Sequence, residues 1–206
     1  LVPDEILLFL RRQMADMGWV GMILPEQYGG DGSSFADLAV LYEEMGSACL
    51  SSPLHSSVVL GGLTILEAGS EQQKRDLLPS VASGQRILAF ACTEPDYGWG
   101  PDHVNLAATR RNRGFVLNGT KLFVPDVQVA DQLVVVARTS KAASPEEGIT
   151  LFLVDKSTPG VSTRIVRGWT GEKLNQVVFK DAQVPASAVI GQVDGGWAPA
   201  ERVLDR

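Results

Sequence analysis

Cysteine and histidine are almost missing from these 206 residues, with two of each. Cys49 and Cys92 lie far apart and form no CxxC, which excludes a disulfide framework and a zinc knuckle and leaves both as small apolar residues expected in the interior. His55 and His103 stand at no ligand spacing from each other or from a cysteine, so no metal site is expected. Positive charge is scarce as well: 18 Lys and Arg stand against 24 Asp and Glu, a net charge of −6, and no stretch concentrates it. A nucleic-acid surface therefore has no electrostatic basis. The longest apolar runs, Leu133 to Ala137 and Ile149 to Val154, fall far short of the roughly 20 residues a membrane span requires. Neither a starting Met nor a basic segment leading into an apolar one opens the chain, and the resulting reading is a cytoplasmic protein trimmed at both ends. GxGxxG, GxxxxGK[ST] and GxSxG are all absent, which removes the usual nucleotide cradles and hydrolase nucleophiles.

What is present is 45% hydrophobic, ample for a packed core, and falls into two regimes. Up to about residue 86 apolar residues recur at helical spacing. Ile6, Leu7, Leu10, Met14 and Met17 form one face, and Gly18 stops it. The loop Leu24 to Gly32 is too rich in turn formers to be helical. Ser34 with Asp37 reads as a capping pair for a helix carrying Leu38, Leu41, Tyr42 and Met45, ended by Gly46. Leu54 to Ala68 is a third apolar helix whose Gly61-Gly62 lets another backbone approach closely. Ser70 with Gln73 caps a fourth, short helix ended by Pro79.

From about Gln85 the pattern turns extended. Strands are expected at Ile87 to Cys92, Val104 to Thr109, Phe115 to Leu117, Lys121 to Val124, Leu133 to Ala137, Ile149 to Val154, Ser162 to Val166 and Gln176 to Phe179. Asn118-Gly119 predicts a tight hairpin turn, Gly98-Trp99-Gly100-Pro101 a turn between strands, and Thr139 to Gly148 a mobile loop. Helices first and strands second give an α+β fold: an N-terminal helical domain (1–86), a small antiparallel β-barrel or sandwich (87–193), and the start of a further helix (194–206).

Several segments, in order, resemble the acyl-CoA dehydrogenase family across essentially the whole chain. Leu24-Pro25-Glu26-Gln27-Tyr28-Gly29-Gly30 looks like its LPExYGG segment, and Gly69-Ser70-Glu71-Gln72-Gln73-Lys74 through Leu78-Pro79 like its GSEEQK…LP helix. Phe90-Ala91-Cys92-Thr93-Glu94-Pro95 is similar to its aromatic-x-x-TEP strand, and Leu117-Asn118-Gly119-Thr120-Lys121 to its LNGxK hairpin. Ala130-Asp131 and Phe179 to Pro185 complete the series.

The resemblance implies FAD, acyl-CoA α,β-desaturation and a role in lipid metabolism such as fatty-acid β-oxidation. Phe90, Cys92 and Thr93 would line the isoalloxazine from one strand and Phe123, Val124 and Pro125 from the other, while Gly98 and Trp99 would contact the acyl-CoA. An electron-transfer flavoprotein would take the electrons, and the protein would be an oligomer. The family's carboxylate base would lie in a C-terminal helical domain beyond Arg206, leaving no catalytic residue in this chain. Two positions depart from the family pattern. Pro125 stands where a Ser or Thr hydroxyl usually meets flavin N5, and Trp99 where a Ser usually follows the Gly. Two alternatives therefore accompany the dehydrogenase reading: a degenerate partner subunit of a heteromeric dehydrogenase, and a flavin monooxygenase of the same fold.

Overall fold

The computed structural model describes residues 4–168 and 173–206. Four helical segments come first: α1 (Asp4–Asp16), α2 (Phe35–Ser47), a π-helix (His55–Gly62) running directly into α3 (Leu63–Ala68), and α4 (Glu71–Ala82). Both capping boxes form. The Ser34 hydroxyl accepts from Asp37 N and the Ser70 hydroxyl from Gln73 N, and each third residue reaches back to its cap. α2 buries Leu38, Leu41 and Met45, as its spacing requires. α1 departs from expectation: Met14 is buried but Ile6 and Met17 are exposed, and the Leu7 side chain lies outside the described residues. Its inward face instead pairs Met14 with Arg11, whose guanidinium donates to the Arg86 carbonyl at 2.6 Å. Pro79 does not end α4, which continues to Ala82.

The second half is one eight-stranded sheet, which is not closed: β1 (Leu88–Ala91), β2 (Ala107–Arg111), β3 (Gly114–Pro125), β4 (Gln132–Arg138), β5 (Ile149–Asp155), β6 (Val161–Arg167), β7 (Lys173–Pro185) and β8 (Val189–Ile190). Its order is β6-β7-β3-β2-β4-β5-β8, with β1 added on β4. Most neighbours are antiparallel, but β1 and β2 each meet β4 in parallel. A last helix, α5 (Trp197–Leu204), buries Trp197, Ala200 and Val203.

Strand alternation divides the apolar residues between two cores. Leu88 and Phe90 join the helices, with Val134, Val136, Ile149 and Leu151, whereas Ile87, Ala89 and Ala91 face the other side with Phe115, Leu117, Val124 and Phe152. The sheet is thus covered by helices on one face and folds over its own side chains on the other.

Asn118-Gly119 is not a hairpin turn. β3 runs straight through it as one strand, and the tight turn falls at Asn112 and Arg113, where Arg111 pairs with Gly114. The positive-φ tolerance of Asn-Gly serves a bulge instead. The register against β7 shifts between Leu117 and Gly119, and the Asn118 side chain bonds Asp181 across the gap. Gly119, at φ 147°, leaves room for Leu106.

The Gly61 approach is borne out: a methyl there would sit 2.6 Å from Leu88 Cβ, so the π-helix lies directly on β1. Gly61→Ala is expected to lower stability by about 1–3 kcal/mol through overpacking, read by urea denaturation. An unchanged midpoint would show that helix and strand are not in contact there.

Candidate functional site

The segment after β1 and the end of β3 are held together by a buried ion pair. Lys121 is fully buried and its Nζ lies 2.7 Å from Glu94 Oε1, with Glu94 itself only 6% exposed. The same ammonium donates to the Cys92 carbonyl at 2.8 Å. Glu94 Oε1 also accepts from the backbone N–H groups of Asn105 and Leu106, at 3.0 and 2.9 Å. One carboxylate oxygen thereby ties three stretches of chain: residues 92–94, residues 105–106 and β3. Burial pushes the Lys121 ammonium below its ordinary range, and the Glu94 carboxylate opposes that push. Burial likewise raises the neighbouring Cys92 thiol, so it is a poor nucleophile.

Directly after Lys121, β3 leaves its register with β7: Lys121 pairs with Val177 but Val124 with Asn175. Two residues, Leu122 and Phe123, therefore oppose one, and Phe123 takes φ 54°. The bulge turns the Leu122 N–H away from β7 onto the Thr93 carbonyl, 2.8 Å away. A positive φ on a bulky aromatic residue is strained by on the order of 1–2 kcal/mol, and the ion pair beside it helps to fix that conformation.

These contacts decide where the sequence-derived positions fall. Thr93 is half-buried, and its hydroxyl has no hydrogen-bond partner among the described residues. Phe123 is 39% exposed, and Tyr97 stacks on it with ring centroids 5.8 Å apart. Pro125 is half-buried and Cys92 packs partly against the helical core. Phe90 and Val124 are interior residues of opposite cores. The Leu122 N–H bond to the Thr93 carbonyl thus sets Thr93 beside the stretch of β3 that carries Phe123 and Pro125, while Phe90 and Val124 lie in the interior. Gly98 donates to Asp96 at 3.4 Å, and Trp99 is 87% exposed. In the same loop His103 Nδ1 lies 3.0 Å from Asp96, and this hydrogen bond raises the imidazole above its ordinary value.

Sequence reasoning missed Asp126. It follows Pro125 at φ 60°, and its carboxylate accepts from Ser56 Oγ of the π-helix at 2.5 Å. Burial raises this carboxyl. An isolated Asp at a strand end carries no signal of such a contact. The role of Lys121 was missed too, although a lysine inside a strand of β-branched and aromatic residues is the kind of mismatch that marks a buried partner.

A half-buried, unpartnered hydroxyl beside an accessible aromatic ring fits a flat ring system that is apolar across its faces and polar at one edge. Removing the Phe123 ring tests the backbone under it. Phe123→Gly should be more stable than Phe123→Ala by about 1 kcal/mol in chemical denaturation, because only glycine relieves a positive φ. Equal stability would mean the bulge is not as described.

Comparison with known proteins adds an independent line. Residues 2–85 match the family model for the acyl-CoA dehydrogenase N-terminal domain, and residues 89–182 that for the middle domain. Mitochondrial isovaleryl-CoA dehydrogenase of Pongo abelii is 34% identical over 193 residues, covering 90% of this chain and 45% of the relative. Among solved structures, butyryl-CoA dehydrogenase from Megasphaera elsdenii superposes with TM-score 0.86 at 28% identity, over 100% of this chain and 55% of the other. The ChsE4-ChsE5 complex from Mycobacterium tuberculosis gives TM-score 0.86 at 27% identity, over 97% of this chain and 52% of the other. The chain spans about half the length of the curated relatives it matches.

Proposed function

The chain belongs to the acyl-CoA dehydrogenase family, and on that footing we propose that it forms the N-terminal helical (1–86) and middle β (87–193) parts of a FAD-dependent enzyme that desaturates an acyl-CoA thioester, with 194–206 opening a C-terminal helical part. The observation that carries this reading is the juxtaposition of Thr93 and Phe123, fixed by the Leu122 N–H to Thr93 carbonyl bond and by the Lys121–Glu94 pair. FAD, when bound, supplies the acceptor for the hydride leaving the β-carbon. Thr93 would offer its hydroxyl to the polar edge of the flavin, and Phe123 its face to the ring, with Cys92 and Pro125 flanking and Phe90 and Val124 supporting from behind. Gly98 and Trp99 would border the path of the thioester. The proton-abstracting carboxylate is assigned to the C-terminal part, electrons to an electron-transfer flavoprotein, and the assembly to an oligomer.

A second reading has its own observation. Pro125 has neither a hydroxyl nor an N–H to give the flavin, and Tyr97 already lies on the Phe123 ring. Both favour a partner subunit that lends structure to an active neighbour, and a solved relative is itself a two-component complex.

The test is FAD content and acyl-CoA turnover of the full-length protein, alone and co-expressed with its genomic neighbour. The dehydrogenase reading expects flavin bound by the lone protein, and Thr93→Ala weakening that binding about five- to tenfold. Flavin and turnover appearing only with the neighbour would transfer the role to the partner reading. No flavin and no turnover in either preparation would end both.

A further inference from the structure

Away from the flavin wall, at the opposite end of β1, an arginine is buried with most of its donors unused. Arg11, on the inward face of α1, is 5% exposed, and its Nη2 donates to the Arg86 carbonyl at 2.6 Å. Arg11 makes no other hydrogen bond and no ion pair among the described residues, and its Nε and Nη1 are not sealed from the surface. The guanidinium borders a cavity of about 430 Å³ between α1, the turn after α4 and the segment ahead of β4, where Arg12, Gly84, Ile87, Val129 and Asp131 form the rest of the wall. Gly84 follows α4 at φ 69°, and its missing side chain keeps that side bare: a methyl there would lie 2.9 Å from Ala15 Cβ and 3.9 Å from Arg11 Nε.

An arginine that only braces the fold spends its donors on the chain, and Arg11 spends one. Taking a guanidinium out of water with no carboxylate against it is costly. Burial lowers Arg11 to about 10, and the Asp131 charge opposes that push. Asp131 compensates only in part, because it forms no ion pair with Arg11 and one of its oxygens already accepts from Ile87 N at 2.7 Å. Two guanidinium groups, of Arg11 and the exposed Arg12, therefore face one carboxylate, and the cavity has the opposite sign to a chain whose net charge is −6. A monoanion restores neutrality there. The planar fork of donors on an arginine matches a carboxylate. The cavity is also far larger than a bare oxyanion, and Ile87 and Val129 offer apolar surface beside the guanidinium.

We propose that this cavity binds a small monocarboxylic acid, whose carboxylate pairs with Arg11 and whose carbon chain lies along Ile87 and Val129, with Arg12 drawing the anion to the mouth. The site is separate from the flavin wall, and the inference stands independently of the flavin reading. Because Arg11 also holds the Arg86 carbonyl directly ahead of β1, a bound acid stabilises the seam between helices and sheet at that end.

The test is titration calorimetry of the full-length protein with hexanoate, acetate and inorganic phosphate, with thermal unfolding in the same solutions. Hexanoate is expected to bind once per chain with a Kd on the order of 1 mM and to raise Tm. Acetate and phosphate, which bring no carbon chain to Ile87 and Val129, should bind about tenfold more weakly. Arg11→Met, which keeps the length of the stem, is expected to weaken hexanoate about tenfold. Arg12→Glu, at an exposed position where folding is not at stake, should weaken it about threefold. Absence of saturable hexanoate binding, phosphate binding as tightly as hexanoate, or a hexanoate affinity unchanged in both variants would overturn the inference. If Arg11→Met does not fold, Arg12→Glu decides, and an unchanged affinity there overturns it.

Discussion

A lysine ammonium sealed inside a protein is tolerable only when a carboxylate and further acceptors surround it. Lys121 meets that condition through Glu94 and the Cys92 carbonyl, and Glu94 in turn takes up two backbone N–H groups that would otherwise be orphaned at the end of its loop. The segment from Cys92 to Leu106 has turn formers and exposed aromatic residues along its middle, and its apolar burial is confined to its ends, at Cys92, Val104 and Leu106. The ion pair is what fixes both of its ends against β3. With those ends fixed, the bulge at Leu122 and Phe123 has a reason to exist, since the N–H it frees from β7 finds the Thr93 carbonyl.

The same end of β3 is joined to the helices. Asp126 reaches Ser56, Ser57 holds the Leu88 N–H, and Gly61 lets the π-helix lie on β1. Helical half and sheet therefore meet at the positions that the family resemblance assigns to the flavin, and a change in either half is felt there. Cys92 and Phe90 pack into the helical core while Val124 belongs to the opposite one, so the wall between the two cores is a single layer of backbone.

Much of this was legible in the sequence where local chemistry decides the outcome. Ser34 with Asp37 and Ser70 with Gln73 cap helices because the cap needs only residues three apart, and the change from helical to extended spacing near Gln85 marks the passage from helices to sheet. What failed was non-local. Asn118-Gly119 favours positive φ equally in a turn and in a bulge, and only the partner strand β7 decides between them. Pro79 reads as a helix end, yet α4 tolerates it because Leu78 and Val81 on either side are fully buried. The α1 stripe was misread because one of its inward positions is an arginine reaching the Arg86 carbonyl 75 residues away. The motif around Thr93 was recognised by resemblance, but Glu94 and Lys121, the residues that position it, are 27 residues apart and become partners only in the fold.

The most direct measurement of this account compares Lys121→Met with Lys121→Met/Glu94→Gln in the full-length protein, by urea denaturation and by FAD affinity. The single substitution leaves a buried carboxylate uncompensated and is expected to cost about 3–5 kcal/mol and most of the flavin affinity. The double variant, whose Gln carbonyl still accepts from Asn105 and Leu106, should recover a large part of both. If the single variant were as stable as the unaltered protein and bound FAD equally well, the ion pair would not be what holds Thr93 and Phe123 together.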